Sequence, residues 1–368
     1  MSKAQATVLE INLKALEHNY NYLRSKIQAS TKFMGVVKAF AYGSDAVKIS
    51  QKLVDLGVDY LAVAYAEEGV ILRDAGIKVP ILVLHSQLVS FDIIIERCLE
   101  PSIYSERILT EFIAIAKKHG QKNYPIHLKF NTGLNRLGFN EKDIPTILEK
   151  LANTSTVKVL SVFSHLAASE DKKEQEFTTN QIASFVKIAT AIDNNLGYKT
   201  FKHLSNTSGI LNYPEAHFDM VRSGIGLYGF GNDAGEDEKL IPIATLKTNI
   251  SQIHYLQPQE SVGYNRGFTS SKKTVTATLP LGHADGIGRE YGNGKGVVCI
   301  NGKYAPIIGN TCMDMIMVDI TNIDCAEGDE VIIFGVKPTA TKFAEGANTI
   351  SYELITGISQ RVKRIIVD

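Results

Sequence analysis

The sequence of 368 residues has few cysteines and no excess charge of either sign. Its four cysteines, Cys98, Cys299, Cys312 and Cys325, form no CxxC pair and are too scattered for a disulfide framework. Lysine plus arginine total 39 and aspartate plus glutamate total 39, so the formal net charge is zero. A neutral chain lacks the electrostatic footprint of a nucleic-acid-binding or membrane-surface protein.

The sequence also shows no pattern typical of a targeting or membrane-spanning segment. The start, MSKAQATVLEINL, has no basic stretch followed by an apolar one, so no signal peptide is visible. No apolar run approaches the ~20 residues that span a bilayer. The chain is 44% hydrophobic and 21% charged, which is an ordinary globular composition, and its length suggests two or three domains. We therefore expect a cytoplasmic protein with no nucleic-acid or membrane partner.

From about residue 30 to residue 225, short β-like runs alternate with amphipathic helical segments. Eight strands are predicted, at FMGVVK (33–38), YLAVA (60–64), ILVLH (81–85), PSIY (101–104), IHLKFN (126–131), VLSVFSH (159–165), FKHLSN (201–206) and FDMVRSG (218–224). Eight βα repeats indicate a parallel sheet that closes as a TIM-type (β/α)8 barrel. An open doubly wound sheet would show the same alternation, but no GxGxxG turn follows the first strand.

After about residue 237, period-two alternation and turn signals replace the βα pattern. The strand-rich segments there are TVTATLPL (274–281), GVVCINGKYAPIIGN (296–310) and EVIIFGV (330–336). Within the second, Asn301-Gly302 predicts a tight hairpin. We predict a barrel domain over residues 1–236 and a mostly β domain over residues 237–368, with GNDAGEDEK (231–239) as the linker.

Polar residues collect where the predicted barrel strands end. They are Lys38, Lys129, Asn131, His165, Asn206 and Arg222. Active sites of βα barrels are built at the carboxyl ends of the strands, so polar residues there tend to be catalytic. The loops after the last two strands, at 206–209 and 223–226, supply hydroxyls and helix N-termini suited to a phosphate. A lysine, a phosphate site and an arginine together favour a phosphorylated carbonyl cofactor that is bound covalently through the lysine.

Nine segments resemble, in order, the motifs of bacterial alanine racemases. They are VVKAFAYGSD (36–45), HLKFNTGLNRLGF (127–139), SHLA (164–167), HLSNTSG (203–209), DMVRSGIGLYG (219–229), SVGYNRGF (261–268), LGHADG (281–286), GNTCMD (309–314) and SYELITGISQRVKR (351–364). The resemblance covers both predicted domains. It implies a pyridoxal-phosphate-dependent enzyme that interconverts L-alanine and D-alanine and supplies D-alanine for peptidoglycan.

The resemblance also implies roles for individual residues. Lys38 would carry pyridoxal phosphate and act as one of two catalytic bases, and Tyr264 would be the second base. Arg136 and Met313 would contact the substrate. The implied cofactor-binding residues are Lys38, Tyr42, His165, Asn206, Thr207, Arg222, Gly224, Ile225 and Tyr352. No metal is implied. Taken alone, Lys38 could be a lysine at the barrel rim, and Tyr42 could be a packing residue.

Arg222 matches the residue that faces the pyridine nitrogen of the cofactor. A guanidinium has a pKa above ~12, so it donates a hydrogen bond without giving the ring a proton. A ring that stays neutral is a weaker electron sink, which favours racemisation over transamination. His165 and His203 would support Arg222, although an isolated histidine in such a position is more often an ordinary core residue.

Lys129 matches a position that is carbamylated in many family members and that then orients the arginine. In IHLKFN, the residues His127, Lys129 and Asn131 alternate with apolar ones and are predicted to point into the barrel. Burial should lower the pKa of Lys129, which favours carbamate formation. The alternative is a simple ion pair between Lys129 and an acid.

The family forms head-to-tail homodimers, so the resemblance implies that Tyr264 and Met313 serve the partner's cofactor in composite active sites. Several residues, such as Phe40, Leu134 and His283, depart from the usual pattern near the substrate. A broad-specificity amino-acid racemase is therefore the main alternative. An amino-acid decarboxylase of related fold fits less well, because its expected glycine-rich and cysteine–aspartate motifs are not visible. A non-catalytic pyridoxal-phosphate carrier would be a single barrel.

Overall fold

The computed structural model describes residues 7–231 and 233–368. Residues 1–6 of the predicted barrel domain and Asn232 of the predicted linker lie outside the described residues. In the described part of the chain, the strands are β1 (Val8–Asn12), β2 (Lys32–Val36), β3 (Tyr60–Val63), β4 (Ile81–Val83), β5 (Glu100–Ile103), β6 (Tyr124–Lys129), β7 (Val157–Phe163), β8 (Phe201–His203), β9 (Met220–Ser223), β10 (Ala244–Asn249), β11 (Gln252–Leu256), β12 (Ser261–Val262), β13 (Phe268–Thr269), β14 (Thr274–Leu279), β15 (Val297–Ile300), β16 (Lys303–Ile308), β17 (Ile316–Asp319), β18 (Glu330–Phe334) and β19 (Lys363–Val367).

The α-helices of the same residues are α1 (Leu13–Arg24), α2 (Ala46–Asp55), α3 (Ala66–Asp74), α4 (Phe91–Glu96), α5 (Glu106–Lys118), α6 (Ile144–Ala152), α7 (Gln175–Leu196), α8 (Thr207–Asn212), α9 (Ala234–Asp237), α10 (Ala340–Glu345) and α11 (Ser351–Thr356). Short 3₁₀ segments include Ile225–Tyr228 and Tyr264–Arg266. None of these helices is long and apolar enough to cross a membrane.

The described residues divide into two compact units. The barrel unit comprises Leu16–Ala41 and Ala46–Ile241. The β-rich unit comprises the described residues up to Ala15, the segment Tyr42–Asp45, and Pro242–Asp368.

Strands β2 to β9 form a parallel sheet, which among the described residues has eight strands in the order β8-β7-β6-β5-β4-β3-β2-β9. Two backbone bonds join its ends, because Asp219 N donates to the carbonyl of Lys202 (3.1 Å) and Arg222 N donates to that of Ser205 (3.1 Å). The prediction of a TIM-type barrel is confirmed, and each predicted strand overlaps an observed one.

The helices pack on the barrel through the apolar faces that the sequence pattern indicated. In α2, Ile49 and Leu53 are buried, and the Leu53 side chain lies against Gly35 of β2, where an added Cβ would come within 2.9 Å of it. In α6, Ile144 and Ile147 are buried on one face. These contacts hold the strands so that their carboxyl ends meet at one mouth of the barrel.

The chain leaves β2 in a left-handed turn over Lys38–Tyr42. Ala39, Phe40, Ala41 and Tyr42 all have φ between 53° and 55°. This conformation costs an L-residue on the order of 1–2 kcal/mol, and none of these four residues is glycine. Lys38 therefore begins a strained turn two residues beyond β2, whereas the sequence predicted that it ends the strand.

In the β-rich unit, the principal sheet of the described residues has nine strands in the order β11-β14-β17-β16-β15-β18-β10-β1-β19. The predicted hairpin at Asn301-Gly302 is confirmed. These two residues join β15 and β16 with φ of 48° and 78°, as the mirror-image hairpin turn requires.

The first strand differs from the sequence-based expectation. Residues up to 236 were all expected in the barrel domain, but β1 pairs antiparallel with β10 and parallel with β19 in the β-rich sheet. Val8, Leu9 and Ile11 of β1 are buried there, and β1 has a hydrogen-bonded strand on each side, so burial and pairing hold it in this sheet. The predicted linker over 231–239 contains α9, and Glu236 accepts a hydrogen bond from the Tyr22 hydroxyl (2.7 Å). The boundary between 236 and 237 stays a prediction.

Candidate active site

Four cationic side chains lie at the carboxyl mouth of the barrel. Lys129 is the last residue of β6 and is buried, and Arg222 lies in β9. Burial, with the charges of Arg136, Arg222 and Lys38, lowers the pKa of Lys129 to about 8, in the direction that the sequence predicted. Among the described residues, Lys129 forms no ion pair with an acid, and the ring of Phe163 lies 5.9 Å from its Nζ. The alternative of a Lys129–acid pair therefore has no support in this unit.

Lys38 is half-buried, and burial together with Arg136 lowers the pKa of its amine, while Glu68 opposes the shift. Glu68 is fixed by backbone bonds. One of its oxygens accepts from Ala39 N (2.6 Å), and the other accepts from Ala64 N (2.6 Å) and Tyr65 N (3.2 Å). This carboxylate therefore ties the turn that follows Lys38 to the segment that follows β3.

Arg222 is held by a set of acceptors inside the barrel. Its Nη1 donates to His203 Nδ1 (2.7 Å), and its Nη2 lies within 3.2 Å of the carbonyls of Ser164 and Leu204 and of His165 Nδ1. No hydrogen bond to any described residue uses its Nε–H. Burial and Arg136 lower the pKa of Arg222 to about 9, so the guanidinium stays protonated at neutral pH. Arg222 is thus a fixed cation with a donor left for another acceptor.

Both histidines beside Arg222 are neutral. Burial and the neighbouring cations hold the pKa of His165 and of His203 well below the usual value. A neutral imidazole has one acceptor nitrogen, and in both residues that nitrogen is Nδ1, which faces Arg222. The His203 ring also stacks on Phe163, with centroids 4.7 Å apart.

The two loops expected to hold a phosphate lie side by side. Thr207 Oγ1 is 3.0 Å from Ser223 Oγ and accepts from Gly226 N (3.3 Å). The N–H groups of Gly224 and Ile225 donate to no described residue, so they remain available to an anion.

Two other predicted residues have structural tasks in the barrel unit. Asn206 caps α8, since its Oδ1 accepts from Gly209 N and from Ser169 Oγ (both 2.9 Å). Asn131 lies beyond the end of β6 and stabilises the loop that carries Arg136. Its Oδ1 accepts from Asn135 N (2.9 Å), and its Nδ2 donates to Asn135 Oδ1 (2.8 Å).

Tyr264 and Met313 lie in the β-rich unit and line one open cleft of about 770 Å³. Their exposed fractions are 74% and 59%. Tyr264 follows Gly263 (φ 75°), and its carbonyl accepts from Asn310 Nδ2 (3.0 Å). Cys312 lines the same cleft. The structure thus brings the predicted second base and the predicted substrate contact together.

Tyr42 and Tyr352 also meet within the β-rich unit. Their ring centroids are 6.3 Å apart, and burial raises the pKa of the Tyr42 phenol. Tyr352 lies in α11 and is partly exposed. The Tyr42 phenol is therefore a protonated donor at neutral pH.

Sequence reasoning missed the layer of side chains beneath Arg222. Glu100, His127 and Ser161 connect to His203 inside the barrel. The alternation in IHLKFN indicated that His127 points inward, but which partners it meets depends on the register of β5, β6 and β7. Glu68, in the first turn of α3, was missed as well.

A closed parallel barrel with a half-buried lysine, a fixed arginine and free N–H groups defines a βα-barrel enzyme for a small anionic molecule. Among the described residues, no group of histidines, cysteines and acids is arranged to hold a metal ion.

Comparison with known proteins identifies the family. Residues 11–231 match the model of the alanine racemase N-terminal domain, and residues 243–366 match that of the C-terminal domain. The alanine racemase of Thermodesulfovibrio yellowstonii is 38% identical over 363 residues, covering 96% of each chain. The chain belongs to the alanine racemase family, and it is an amino-acid racemase.

Solved structures agree with this assignment. An alanine racemase from Clostridium difficile 630 has a TM-score of 0.92 at 34% identity, covering 99% of this chain and 96% of its own. An alanine racemase from Bartonella henselae with covalently bound pyridoxal phosphate has a TM-score of 0.90 at 28% identity, covering 99% of this chain and 100% of its own.

Proposed function

We propose that this protein interconverts L-alanine and D-alanine with pyridoxal phosphate attached to Lys38, and that it supplies D-alanine for peptidoglycan. The observation that carries the proposal is Arg222, a buried cation fixed by four acceptors and keeping an unused Nε–H at the barrel mouth. The family membership and the cofactor of the Bartonella relative support the same reading.

The residues present fit this cofactor. Pyridoxal phosphate, when bound, supplies an aldehyde that reacts with an amine and a ring that withdraws electrons from the substrate Cα. Thr207, Gly224 and Ile225 would hold the phosphate through the hydroxyl and the free N–H groups. For Tyr42 and Tyr352, contact with the phosphate stays a prediction from resemblance.

Arg222 would donate its free N–H to the ring nitrogen. With a pKa of about 9 the guanidinium keeps its proton at neutral pH, so Arg222 would donate a hydrogen bond to the ring without protonating it. An unprotonated ring would withdraw fewer electrons from the substrate Cα, so the proton would return to Cα and not to another carbon. Racemisation is favoured over transamination for that reason.

Two bases would move the Cα proton. Lys38, whose pKa burial lowers, would take it from D-alanine, and Tyr264 of a second copy would take it from L-alanine. Arg136 would bind the substrate carboxylate, and Met313 would contact the substrate. His165 would act through Arg222.

The cationic neighbours of Lys129 favour a carbamate. The neutral amine would attack the carbon of CO₂ and release one proton, so a neutral group beside Lys38, Arg136 and Arg222 would become an anion among them. A pKa of about 8 leaves roughly a tenth of the amine neutral at pH 7, far more than in an ordinary lysine, and that fraction is available for this reaction. The carbamate would then orient Arg136.

The test is a racemisation assay on a panel of L-amino acids with added pyridoxal phosphate. Alanine should be turned over much faster than the other amino acids. Comparable rates across the panel would instead establish the broad-specificity racemase. Borohydride treatment of the loaded protein should add the pyridoxyl mass to the peptide that contains Lys38, and Lys38→Ala should abolish that mass. A label on Lys129 in the wild type would contradict the site assignment.

A further inference from the structure

The barrel interior beneath Arg222 contains polar residues at positions where branched apolar side chains are usual. His127 and His203 are fully buried, and Ser161 between them is fully buried as well. His127 and Ser161 stand opposite each other in the register of β6 and β7. The side chain of Glu100, on β5, is only 13% exposed. A buried polar group without a partner is costly, so the connections among these residues matter.

These residues form one continuous chain of hydrogen bonds. Arg222 Nη1 lies 2.7 Å from His203 Nδ1, and His203 Nε2 lies 3.0 Å from Ser161 Oγ. Ser161 Oγ lies 2.6 Å from His127 Nδ1, and His127 Nε2 lies 2.7 Å from a Glu100 oxygen. The chain runs across the four neighbouring strands β5 to β8 and ends in β9, with a carboxylate at one end and a guanidinium at the other.

Donor and acceptor roles follow from the end that holds Arg222. A guanidinium only donates, so His203 Nδ1 must accept. Because His203 is neutral, its proton sits on Nε2 and is donated to Ser161. The Ser161 hydroxyl then donates to His127 Nδ1, which places the His127 proton on Nε2, facing Glu100.

The other end is consistent with the same direction. A carboxylate only accepts, so Glu100 needs the His127 proton on Nε2. Each bond therefore has one donor and one acceptor when every proton points from Arg222 towards Glu100. If the direction were reversed at His203, an N–H would face the N–H of Arg222.

We propose that Glu100 is a remote positioning residue for Arg222, acting through His127, Ser161 and His203 to hold His203 as an acceptor and so fix the guanidinium. Its consequence for catalysis rests on the proposed function of Arg222. Among the described residues, Arg222 forms no ion pair of its own, and Glu100 is the carboxylate that closes its hydrogen-bond chain. Hydrogen bonds in such a chain polarise one another, which strengthens the bond at the far end.

The experiment uses the full chain without added cofactor, labelled with ¹⁵N-histidine and ¹⁵N-arginine. The wild type should show His127 and His203 in the Nε2–H form and a slowly exchanging Arg222 Nη–H. Glu100→Leu removes the acceptor, so both histidines should become mixtures of tautomers, and the Arg222 signal should lose its protection. Glu100→Gln keeps an acceptor oxygen and should restore the wild-type spectrum.

Two further variants distinguish an effect transmitted through the hydrogen-bond chain from a general effect of losing a buried or paired carboxylate. Ser161→Ala cuts the chain, so adding Glu100→Leu to it should change His203 no further. Asp92→Leu is the matched control, because Asp92 makes an equally short contact to His119 (2.7 Å) away from the barrel interior. It should leave His203 and Arg222 unchanged. Circular dichroism of each variant checks that the fold persists.

In the loaded enzyme, Glu100→Leu should lower the rate of alanine racemisation about tenfold, as outer groups that orient ligands typically contribute 10–100-fold. It should also raise the share of transamination, and Glu100→Gln should recover most of the loss. A folded Glu100→Leu protein with wild-type His203 and Arg222 signals would overturn the proposal. Loss of alanine racemisation in the wild type would refute the proposed function but not this spectroscopic result.

Discussion

The barrel unit and the β-rich unit present their candidate site residues in different ways. Arg222 is 5% exposed and is held by acceptors from its own unit, whereas Tyr264 is 74% exposed and its hydroxyl makes no hydrogen bond to a described residue. Met313 is similarly exposed. A side chain that is held by hydrogen bonds within its own unit keeps its orientation before a cofactor or substrate binds. An exposed tyrosine whose hydroxyl has no partner is not positioned to act as a base until other groups surround it.

The largest expected effect comes from the Tyr264 hydroxyl. A positioned base contributes about 10²–10⁴-fold, so Tyr264→Phe should lower racemisation by that factor in both directions. Because the side chain is exposed, the free energy of unfolding should change by less than ~0.5 kcal/mol. Rates from coupled assays and unfolding curves of the two proteins check both statements.

Tyr255 supplies the matched control, because it is 76% exposed in the same unit. Tyr255→Phe should leave both rate and stability unchanged. In deuterated solvent, Tyr264→Phe should still exchange the Cα hydrogen of D-alanine. Equal exchange of L-alanine by this variant would show that the two bases do not divide the enantiomers.

The second prediction asks what surrounds Tyr264. If it serves a second copy, mixing inactive Lys38→Ala and Tyr264→Phe proteins creates dimers with one complete site. Random exchange makes about half of the dimers mixed, so roughly a quarter of wild-type activity should return. No recovery, with subunit exchange verified by mass spectrometry, would place both bases within one chain.

The barrel strands and many of the candidate site residues at their ends could be predicted, because the sequence patterns that indicate them are local. The βα alternation gave the eight strands, and strand ends such as Lys129 and Arg222 indicated the mouth. Pairing between distant segments left no such signal, which is why β1 was expected in the barrel although it pairs with β19. Likewise, nothing in the sequence links Glu100 to Arg222, because their connection depends on the register of the five strands β5 to β9 and on the rotation of two imidazole rings.

The left-handed turn after Lys38 shows a different limit. Glycine or asparagine in the sequence usually indicates a left-handed backbone segment, and Lys38–Tyr42 contains neither. Its conformation depends on contacts far along the chain, such as the bond from Ala39 N to Glu68. In the sequence, Phe40 stands out only as a departure from the usual pattern near the substrate, which says nothing of the backbone conformation.

The third prediction concerns the cationic cluster of the barrel unit. The neutral amine of Lys129 becomes the major form above a pKa of about 8, so the carbamate should form increasingly as the pH rises through that value. A ¹³C carbamate signal in ¹³C-bicarbonate should fade below it, because the protonated amine cannot attack CO₂. Lys129→Arg should lack this signal, and Lys158→Arg, at an exposed lysine of β7, should retain it. A signal that persists in Lys129→Arg would assign the carbamate elsewhere.

The smallest expected effect tests whether the turn after Lys38 stores backbone strain. Phe40 has φ 55° and is 51% exposed, so its side chain stabilises the fold little while its backbone is unfavourable. Asparagine tolerates the left-handed region better, so Phe40→Asn should stabilise the protein by about 1 kcal/mol, a rise of roughly 2 °C in the unfolding midpoint. Phe177→Asn, at a 39% exposed phenylalanine in the right-handed helix α7, should give no such gain, because asparagine is the poorer helix former. A shift of the unfolding midpoint in Phe40→Asn that is no higher than the shift in Phe177→Asn, measured by calorimetry, would mean that the turn after Lys38 carries no strain that its side chains can relieve.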